Sequence, residues 1–502
     1  MSFAEKQTLD ETETIHISSP KLENGIVALL EQGHRVYLTG NPGDGKTHLL
    51  QRLQGRADWP VGTYTEADAS AVSEAQLLAG LTEAGRAGRA ALVAVNEGPL
   101  RQLLRRLPDA DELSAQLSRP FRYEGEPTTN TIPKAVLVQL GSRQVLNENL
   151  INEALNLMLS RVDYAGAPAA VQANVKALRQ KRVRERLCEL LEEVGRSGVH
   201  VTVHQLLGLL ARMVTGGRAD TAAQAAPYYE SLFELPMGSS PLALELRDLD
   251  PARLPHALLD THKLWDAPAQ AGPWLPGSKP AAGAPGEIGI SAEEAERRFR
   301  RLKRQYYFEA EYGRQVLDGL PDDRRKFNDL LSGPAPAAVP VILKALVRFA
   351  GQVPDPELAL HLWTSMRYDA DQPAWAKVAG ASLYAAGCLV RRPSLPPPVS
   401  QLLDYQADHL LLTLTTKPAP EGPALVIDLP LWRALSAVAR GLPVGSRNED
   451  AGKRVDNFLA AAAAVMPATS EYLRVYNAKN NRQTMVQVME NPAAPAGVSY
   501  LL

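Results

Sequence analysis

The sequence predicts an α/β fold in which a parallel sheet with crossover helices is followed by a helical region and a mixed α/β tail. Short apolar runs at residues 35–39, 90–95 and 134–140 alternate with stretches of helical periodicity, an order typical of parallel strands joined by helices. From residue 147 onward the pattern is helical, until prolines and glycines interrupt it at 268–286. The sheet is therefore expected in the first third of the chain.

These patterns divide the 502 residues into six segments. They are a polar lead-in at 1–18, a sheet-forming core at 19–146, a helical lid at 147–265, a Pro/Gly linker at 266–290, a basic helical segment at 291–365 and a mixed α/β region at 366–502.

The elements of the core follow from local periodicity and capping residues. In order they are a helix at 21–32 with Ser19 as its cap and Pro20 in its first turn, a strand at 35–39, a helix from 46 to 53, a strand at 63–67, a helix carrying 74–81 that Asp68 or Ser70 caps, and strands at 90–95 and 134–140.

The later elements follow from the same signals. They are helices at 149–159, 175–194 and 203–215, the last capped by Thr202 and stopped by Gly216-Gly217; a helix at 291–317 with a capping box of Ser291 and Glu294; helices at 431–440 and 455–466; and strands at 410–416, 424–428, 473–476 and 484–489, of which the last two pair.

The strand at 35–39 leads into a glycine-rich loop, GNPGDGKT. Gly40, Gly45, Lys46 and Thr47 match G-x-x-x-x-G-K-[ST] without a mismatch. In such loops backbone N–H groups surround a phosphate, the lysine reaches the β- and γ-phosphates, and the hydroxyl binds Mg²⁺. We therefore expect ATP and Mg²⁺ to bind here, through Gly40, Asn41, Pro42, Gly43, Asp44, Gly45, Lys46, Thr47 and His48.

The strand at 90–95 ends in Asn96-Glu97-Gly98. Nucleotide hydrolysis at such a loop needs an acid at the tip of a nearby strand, to hold the metal or to orient the attacking water. Glu97 is the candidate general base, and Asn96 offers Mg²⁺ an oxygen ligand without a charge. The same residues also fit an ordinary polar turn. After the strand at 134–140, Gln139, Ser142 and Arg143 are equal candidates for sensing the γ-phosphate.

Two runs of basic residues are candidate nucleic-acid contacts. One spans 176–186, and the other, Arg297–Arg304, precedes the aromatic residues Tyr306, Tyr307 and Phe308. Basic residues beside aromatics suit binding of a nucleic-acid backbone with base stacking. They equally suit a helix that packs its aromatic side inward and keeps its arginines in water. Arg212 also has two possible interpretations, since it fits either a contact to the nucleotide or an ordinary surface residue.

Composition restricts the class of protein. A formal net charge of −2 provides no overall field for nucleic acid or membrane, so any such surface must be local. Cys188 and Cys388 do not form a disulfide framework, and His200 and His204 have helical metal spacing but no third ligand nearby. The polar N-terminus does not resemble a signal peptide, and no apolar stretch is long enough to span a bilayer. We expect a soluble, cytoplasmic protein.

Five stretches together resemble one bacterial family: GNPGDGKTHLL, EADAS, AVNEG, HVTVHQLLGLLARMVTGG and YYESLF, at 40–50, 66–70, 94–98, 200–217 and 228–233. The chain is similar, over about residues 20–270, to the P-loop ATPase component of phosphorothioation-dependent DNA restriction systems and its relatives in other phage-defence cassettes. The resemblance implies a P-loop NTPase core of the AAA+ type with a helical lid. It also implies separate DNA-binding, helicase or nuclease partners, and it assigns hydrolysis to Glu97. The arginine finger of such cores has no identifiable counterpart here.

Two functions are therefore expected as alternatives. The first is an ATP-hydrolysing motor or switch subunit of an anti-phage restriction complex, with DNA bound through Arg297–Arg304. The second is a regulatory ATP-dependent signalling switch that binds protein partners without contacting DNA. A GTP-using subunit is less favoured because no guanine-reading motif is visible. A homo-oligomer is compatible with either function, and the sequence does not identify the DNA feature, the partners or the fate of the invading DNA.

Overall fold

The computed structural model describes thirteen stretches of the chain, which are residues 19–69, 71–127, 131–161, 164–217, 225–235, 240–262, 292–366, 376–416, 422–443, 449–466, 472–477, 482–490 and 498–501. They form two compact units. Unit 1 contains the described residues within 1–122, 127–321 and 394–406, and unit 2 those within 123–126, 322–393 and 407–502. The segment predicted at 291–365 is thus divided between the units, and the predicted lead-in and linker lie outside the described residues.

A four-stranded parallel sheet is the centre of unit 1, in the order β2-β3-β1-β5. The chain supplies β1 (Arg35–Thr39), β2 (Tyr64–Glu66), β3 (Ala91–Ala94), the two-residue β4 (Arg122–Tyr123) and β5 (Ala135–Gln139). The predicted α/β fold with a parallel sheet is confirmed. The predicted strands are correct to within one residue at each end.

Helices cover both faces of this sheet. On one face lie α1 (Pro20–Glu31) and α2 (Lys46–Gln54); on the other lie α3 (Glu74–Arg86), α4 (Glu97–Leu103) and α5 (Ala110–Ser118). Alternate strand residues enter the two cores, since Val36 and Leu38 pack with α1 and α2 whereas Tyr37 packs with α3 and α5. Burial on both faces explains why these strands read as continuous apolar runs.

The rest of unit 1 is helical and shares one apolar core. It comprises α6 (Glu148–Arg161), α7 (Ala169–Leu178), α8 (Lys181–Gly195), α9 (Val203–Thr215), α10 (Tyr228–Phe233), α11 (Pro241–Asp248), α12 (Ala257–His262) and α13 (Ala292–Glu309). Thr202 caps α9 with a full capping box, and Gly216 ends it in the left-handed conformation, as predicted.

The single helix predicted at 175–194 is wrong, because α7 and α8 are separate. Gln180 is extended (ψ 131°) and precedes the first residue of α8. The buried residues Leu178 and Val183 are five positions apart, which in one continuous helix would place them on different faces. A break between them lets both apolar stripes enter the same core.

The helix predicted to reach residue 317 is also wrong, because α13 ends at Glu309. The chain folds back there, and a Cβ on Gly313 would lie 2.3 Å from the carbonyl oxygens of Tyr306 and Tyr307. Only a glycine permits this close approach to the last turn of the helix. A 3₁₀ helix, Gly313–Gly319, follows. Ser291 of the predicted capping box lies outside the described residues.

Two predicted caps differ from the structure. The side chain of Ser19 makes no capping bond; instead its N–H donates to Oε1 of Glu23 at 2.9 Å. Helix α3 begins at Glu74 and is capped by Ser73 in a capping box with Gln76, so Asp68 is not its cap. Ser70 lies outside the described part of the chain.

Unit 2 combines helices with two antiparallel sheets, in the orders β11-β10-β8 and β14-β13-β12-β7-β6. Its helices begin with α14 (Asp322–Ser332) and α15 (Val339–Phe349). Its strands begin with β6 (Leu360–Met366), β7 (Ala376–Leu383) and β8 (Cys388–Arg391), followed by the two-residue β9 (Pro393–Ser394).

The chain then returns to unit 1 for α16 (Val399–Leu402) before completing unit 2. Unit 2 ends with β10 (His409–Leu414), β11 (Ala424–Asp428), α17 (Leu429–Ala439), α18 (Glu449–Val465), β12 (Tyr472–Asn477), β13 (Arg482–Glu490) and β14 (Val498–Leu501). The predicted pairing of the strands at 473–476 and 484–489 is confirmed by β12 and β13.

Both cysteines of the chain lie in the described residues. Cys188 and Cys388 are both free thiols, and burial raises the pKa of Cys388 to about 11. Within the stretches that the structure describes, every helix is too short or too polar to cross a bilayer.

Candidate functional site

The ends of three neighbouring strands bring the candidate residues to one edge of the sheet. Leu38 pairs in register with Ala94 and Val138, and the N–H of Val95 donates to the carbonyl of Leu38 at 2.9 Å. The glycine loop, Asn96-Glu97 and the turn after β5 therefore leave the sheet at the same level. In open parallel sheets ligands bind outside this carboxyl edge.

The loop between β1 and α2 has the backbone that its glycines predict. Gly43 and Gly45 have φ of 92° and 84°, in the region that favours glycine, and α2 starts directly at Lys46. No side chain caps the first turn of α2. Its N–H groups and the positive end of the helix dipole thus face the loop, an arrangement that binds anions.

Inside this loop the groups that would bind a phosphate have partners within the loop. Nζ of Lys46 donates to the carbonyls of Gly40 at 3.0 Å and Asn41 at 2.9 Å. The N–H of Asn41 donates to Oδ2 of Asp44 at 2.6 Å. Burial lowers the pKa of Lys46, and the charges of Asp44 and Asp68 oppose that shift. A phosphate entering the loop must replace these internal acceptors.

Asp44 connects the loop to the helical part of unit 1. Its side chain is only 2 % exposed, and Oδ1 lies 3.2 Å from Nε2 of His200, in the turn before α9. The imidazole also hydrogen-bonds to the backbone of Gly141, just after β5. The neighbouring carboxylate of Asp44 raises the pKa of His200 above its usual value. His200 is exposed at the surface and in addition contacts the loop.

The first turn of α9 also contacts the loop. The N–H of His204 donates to the carbonyl of Gly43 at 3.4 Å, and a Cβ on Gly43 would lie 3.3 Å from Oγ1 of Thr202. The side chain of His204 is exposed, and only His204 belongs to α9, so the two histidines do not have the spacing of a pair on one helix.

Glu97 and Asn96 stand at the start of α4, next to the loop strand. Asn96 is the N-cap residue, but its side chain makes no capping bond. Oε1 of Glu97 accepts hydrogen bonds from Nε and Nη2 of Arg101 at 2.9 and 2.7 Å. Both side chains are about half exposed. This ion pair is weak in water, so Glu97 can leave Arg101 for a water or metal near the loop.

Thr47 is the predicted Mg²⁺ ligand within the loop. Oγ1 of Thr47 donates to the carbonyl of Ala67 at 3.3 Å, so the hydroxyl lies beside the segment after β2, where Asp68 follows. Thr47, Asn96 and Asp68 offer side-chain oxygen atoms, which Mg²⁺ prefers. Among the described residues no three His, Cys, Asp or Glu side chains form a metal cage, and Mg²⁺ characteristically uses few protein ligands together with nucleotide phosphates. The sequence analysis had treated Asp68 only as a cap.

The residues that follow β5 lie in different surroundings. Gly141 lies beside the loop, and its backbone contacts the imidazole of His200. Arg143 is largely buried, and burial lowers its pKa while the charges of Asp404, Glu153 and Glu23 oppose the shift. Arg212 donates to the carbonyls of Ser231 at 3.2 Å and Glu234 at 2.8 Å, so it anchors α10 rather than reaching the loop.

The basic helix α13 divides into an exposed half and a buried half. Arg297, Arg298 and Arg300 are exposed and paired with acids one turn earlier on the same helix. Lys303 and Arg304 are only 2 % and 8 % exposed. The buried half therefore cannot contact DNA phosphates as predicted, because it already binds acids inside unit 1.

The three aromatic residues of α13 do not face solvent. Tyr306, Tyr307 and Phe308 are 2 %, 0 % and 0 % exposed and belong to the helical core. The base-stacking interpretation is therefore wrong, and the aromatic side of the helix packs inward. The remaining candidate contact is the exposed half of α13.

The basic run at 176–186 also serves the packing of unit 1. Arg182 donates to the carbonyl of Glu309 at 3.0 Å, and Arg184 donates to the carbonyl of Leu178 at 2.7 Å. Nη1 of Arg186 donates to Glu189 at 3.0 Å. Arg182 and Arg184 thereby connect α8 to α13 and to α7.

No family model, no curated protein and no solved structure matches this chain.

Proposed function

We propose that this chain binds ATP with Mg²⁺ at the loop 40–47 and hydrolyses it, as the motor or switch subunit of a multi-protein anti-phage DNA restriction complex. One observation carries the ATPase proposal: a complete G-x-x-x-x-G-K-T loop joins a central parallel strand to a helix whose first turn has no side-chain cap. The core is proposed to be of the AAA+ type with α6–α13 as its lid. The restriction role rests on the resemblance of the five sequence stretches.

The proposed roles follow from position and charge. Lys46 binds the β- and γ-phosphates after leaving the carbonyls of Gly40 and Asn41, and backbone N–H groups of the loop bind the other phosphate oxygens. Thr47 and Asn96 would hold Mg²⁺. The negative charge of Asp68 raises the pKa of Lys46. Mg²⁺, when bound, neutralises phosphate charge. Glu97 accepts a proton from the attacking water once Arg101 has released it.

We expect Glu97→Gln to bind ATP like the wild type and to turn it over about 10²-fold more slowly, the effect of losing a general base. Gln keeps the size of the side chain and cannot accept the proton. Steady-state phosphate release with and without duplex DNA, together with ATP titration, measures both quantities. Glu83→Gln is the matched control, because Glu83 is 77 % exposed on α3 and pairs with the surface residue Arg89. Near-normal turnover of Glu97→Gln would locate the base elsewhere.

The signalling switch is the second candidate function, and one observation favours it. The basic runs of unit 1 are largely committed to contacts within the chain, and the aromatics beside Arg297–Arg304 are buried. A subunit of this kind binds protein partners in one nucleotide state, and its hydrolysis does not respond to DNA.

The exposed half of α13 distinguishes the two candidates. If Arg297, Arg298 and Arg300 bind duplex phosphates, changing all three to Gln should reduce the log–log salt slope of DNA binding by about 0.9 for each phosphate that is no longer neutralised. Their partners are exposed acids, so the fold should be unaffected. Duplex affinity at several salt concentrations provides the measurement. Superimposable salt plots for wild type and triple variant would favour the signalling switch.

A further inference from the structure

Three hydrogen bonds within the loop occupy donors that a phosphate would need. Lys46 is bound to the carbonyls of Gly40 and Asn41, and the N–H of Asn41 is bound to Asp44. These donors are the groups that the proposed function assigns to phosphate binding. Filling the loop therefore changes the hydrogen bonding of Asp44, even though Asp44 itself carries a charge that repels phosphate.

Asp44 cannot lose a donor without consequence, because its side chain is 2 % exposed. A buried carboxylate that loses a hydrogen-bond donor is destabilised unless another group takes the place of that donor. Oδ1 of the same carboxylate lies 3.2 Å from Nε2 of His200, which pairs with it as an ion when the imidazole is protonated. A Cβ on Gly40 would lie 2.6 Å from Oδ2 of Asp44, so the carboxylate fits tightly against the loop backbone and follows its movement.

His200 is attached at the same time to the sheet and to the helical region. Its ring hydrogen-bonds to the backbone of Gly141 after β5, and it lies two residues before Thr202, the cap of α9. The first turn of α9 rests on Gly43 through the N–H of His204. A shift of Asp44 therefore reaches α9 by a continuous path of contacts.

We propose that His200 is a positioning residue that couples phosphate occupancy of the loop to the N-terminus of α9, through Asp44. The inference rests on the proposed ATP binding. Coupling of this kind is reciprocal. If ATP binding changes the equilibrium between two states of the first turn of α9 by some factor, the affinities of those two states for ATP differ by the same factor. The contact of His200 is with Asp44 and Gly141, so it acts on the nucleotide only through them.

Two variants should have different effects on ATP affinity. His200→Gln removes the ion pair that protonated His200 makes with Asp44, so the carboxylate repels the phosphates more strongly and ATP binding should weaken about fivefold or more. Asp44→Asn removes the repelling charge and keeps an oxygen for the Asn41 N–H, so ATP affinity should be kept or increased. A purely structural role predicts that both variants lose stability and change ATP affinity in the same direction.

The test combines ATP titration with hydrogen exchange at residues 200–207 of the full chain, with and without Mg²⁺–ATP. In the wild type ATP should change exchange at these amides, and both His200→Gln and Asp44→Asn should abolish that change. His204→Gln is the matched control: it has the same side chain four positions later, exposed to solvent, and should keep both affinity and response.

Each outcome decides the proposal. If wild type binds ATP while exchange at 200–207 is unchanged, or if His200→Gln keeps the response, the coupling is overturned and the ATPase proposal stands. If wild type does not bind ATP, the proposed function falls and the coupling with it. Should His200→Gln fail to fold, Asp44→Asn alone decides, because persistence of the ATP response in that variant contradicts the coupling.

Discussion

Lys46→Ala should lose tight ATP binding, with an affinity at least about 100-fold below that of the wild type. The ammonium group is the cation that the loop itself supplies, and charged hydrogen bonds contribute about 1.5–3 kcal/mol each. Loss of about 3 kcal/mol corresponds to about a hundredfold in affinity. Isothermal titration with Mg²⁺–ATP measures it, and far-UV circular dichroism verifies the fold.

The control for Lys46 is Lys181→Ala. Lys181 begins α8, is 90 % exposed and pairs only with Glu185 at 3.6 Å among the described residues. The variant therefore removes one positive charge and should keep wild-type affinity. Unchanged ATP binding by a folded Lys46→Ala protein would contradict the phosphate-loop assignment. An equal loss of ATP affinity in both variants would mean that the change in net charge, and not the position of Lys46, causes the loss.

Arg304→Gln should lower the free energy of unfolding by about 3–5 kcal/mol, the cost of leaving a buried charge without its partner. Arg304 donates from Nε and Nη2 to the two carboxylate oxygens of Asp250 at 3.0 and 2.8 Å. The side chains are 9 % and 5 % exposed. The guanidinium also lies 5.3 Å from the ring centre of Phe233, a favourable cation–π distance. Urea denaturation followed by circular dichroism measures the change.

Arg300→Gln on the same helix is the matched control. Arg300 is 54 % exposed and pairs with Glu296, which is 59 % exposed, so its loss should cost less than about 1 kcal/mol. Restoring neutrality in the double variant Arg304→Gln, Asp250→Asn should recover part of the lost stability. Equal small effects for Arg304 and Arg300 would mean that the buried pair does not hold α13 in unit 1.

The elements that the sequence predicted well are the ones that local physics defines. The glycine loop, β1 and β3 were recognisable because left-handed glycines and doubly buried strands leave a pattern within a few residues. The cap and stop of α9 were found at Thr202 and Gly216 for the same reason. The spacing of five positions between Leu178 and Val183 is also a local signal for two separate helices, because one continuous helix would place these residues on different faces.

The candidate site was predictable in part. Register between β1, β3 and β5 places Gly40, Asn96 and Gly141 at one edge, as parallel strands in one sheet require. The contact of Asp44 with His200 spans more than 150 positions of sequence and has no periodic signature. An acid within a phosphate-binding loop was a signal that this charge needs a partner, but the partner could not be chosen from sequence.

The sequence by itself determined the conformation of the glycine loop, the α/β order of the core and the apolar stripes of the helices, since each depends on neighbours within one turn or one strand. The tertiary structure alone decided which charges face water. Arg300 and Arg304 are one turn apart and identical in sequence terms, yet only Arg304 meets a buried acid, Asp250. The return of α16 to unit 1 is of the same kind: a Cβ on Gly25 would lie 2.1 Å from Cδ2 of Leu402, a close contact between distant segments that no local pattern records.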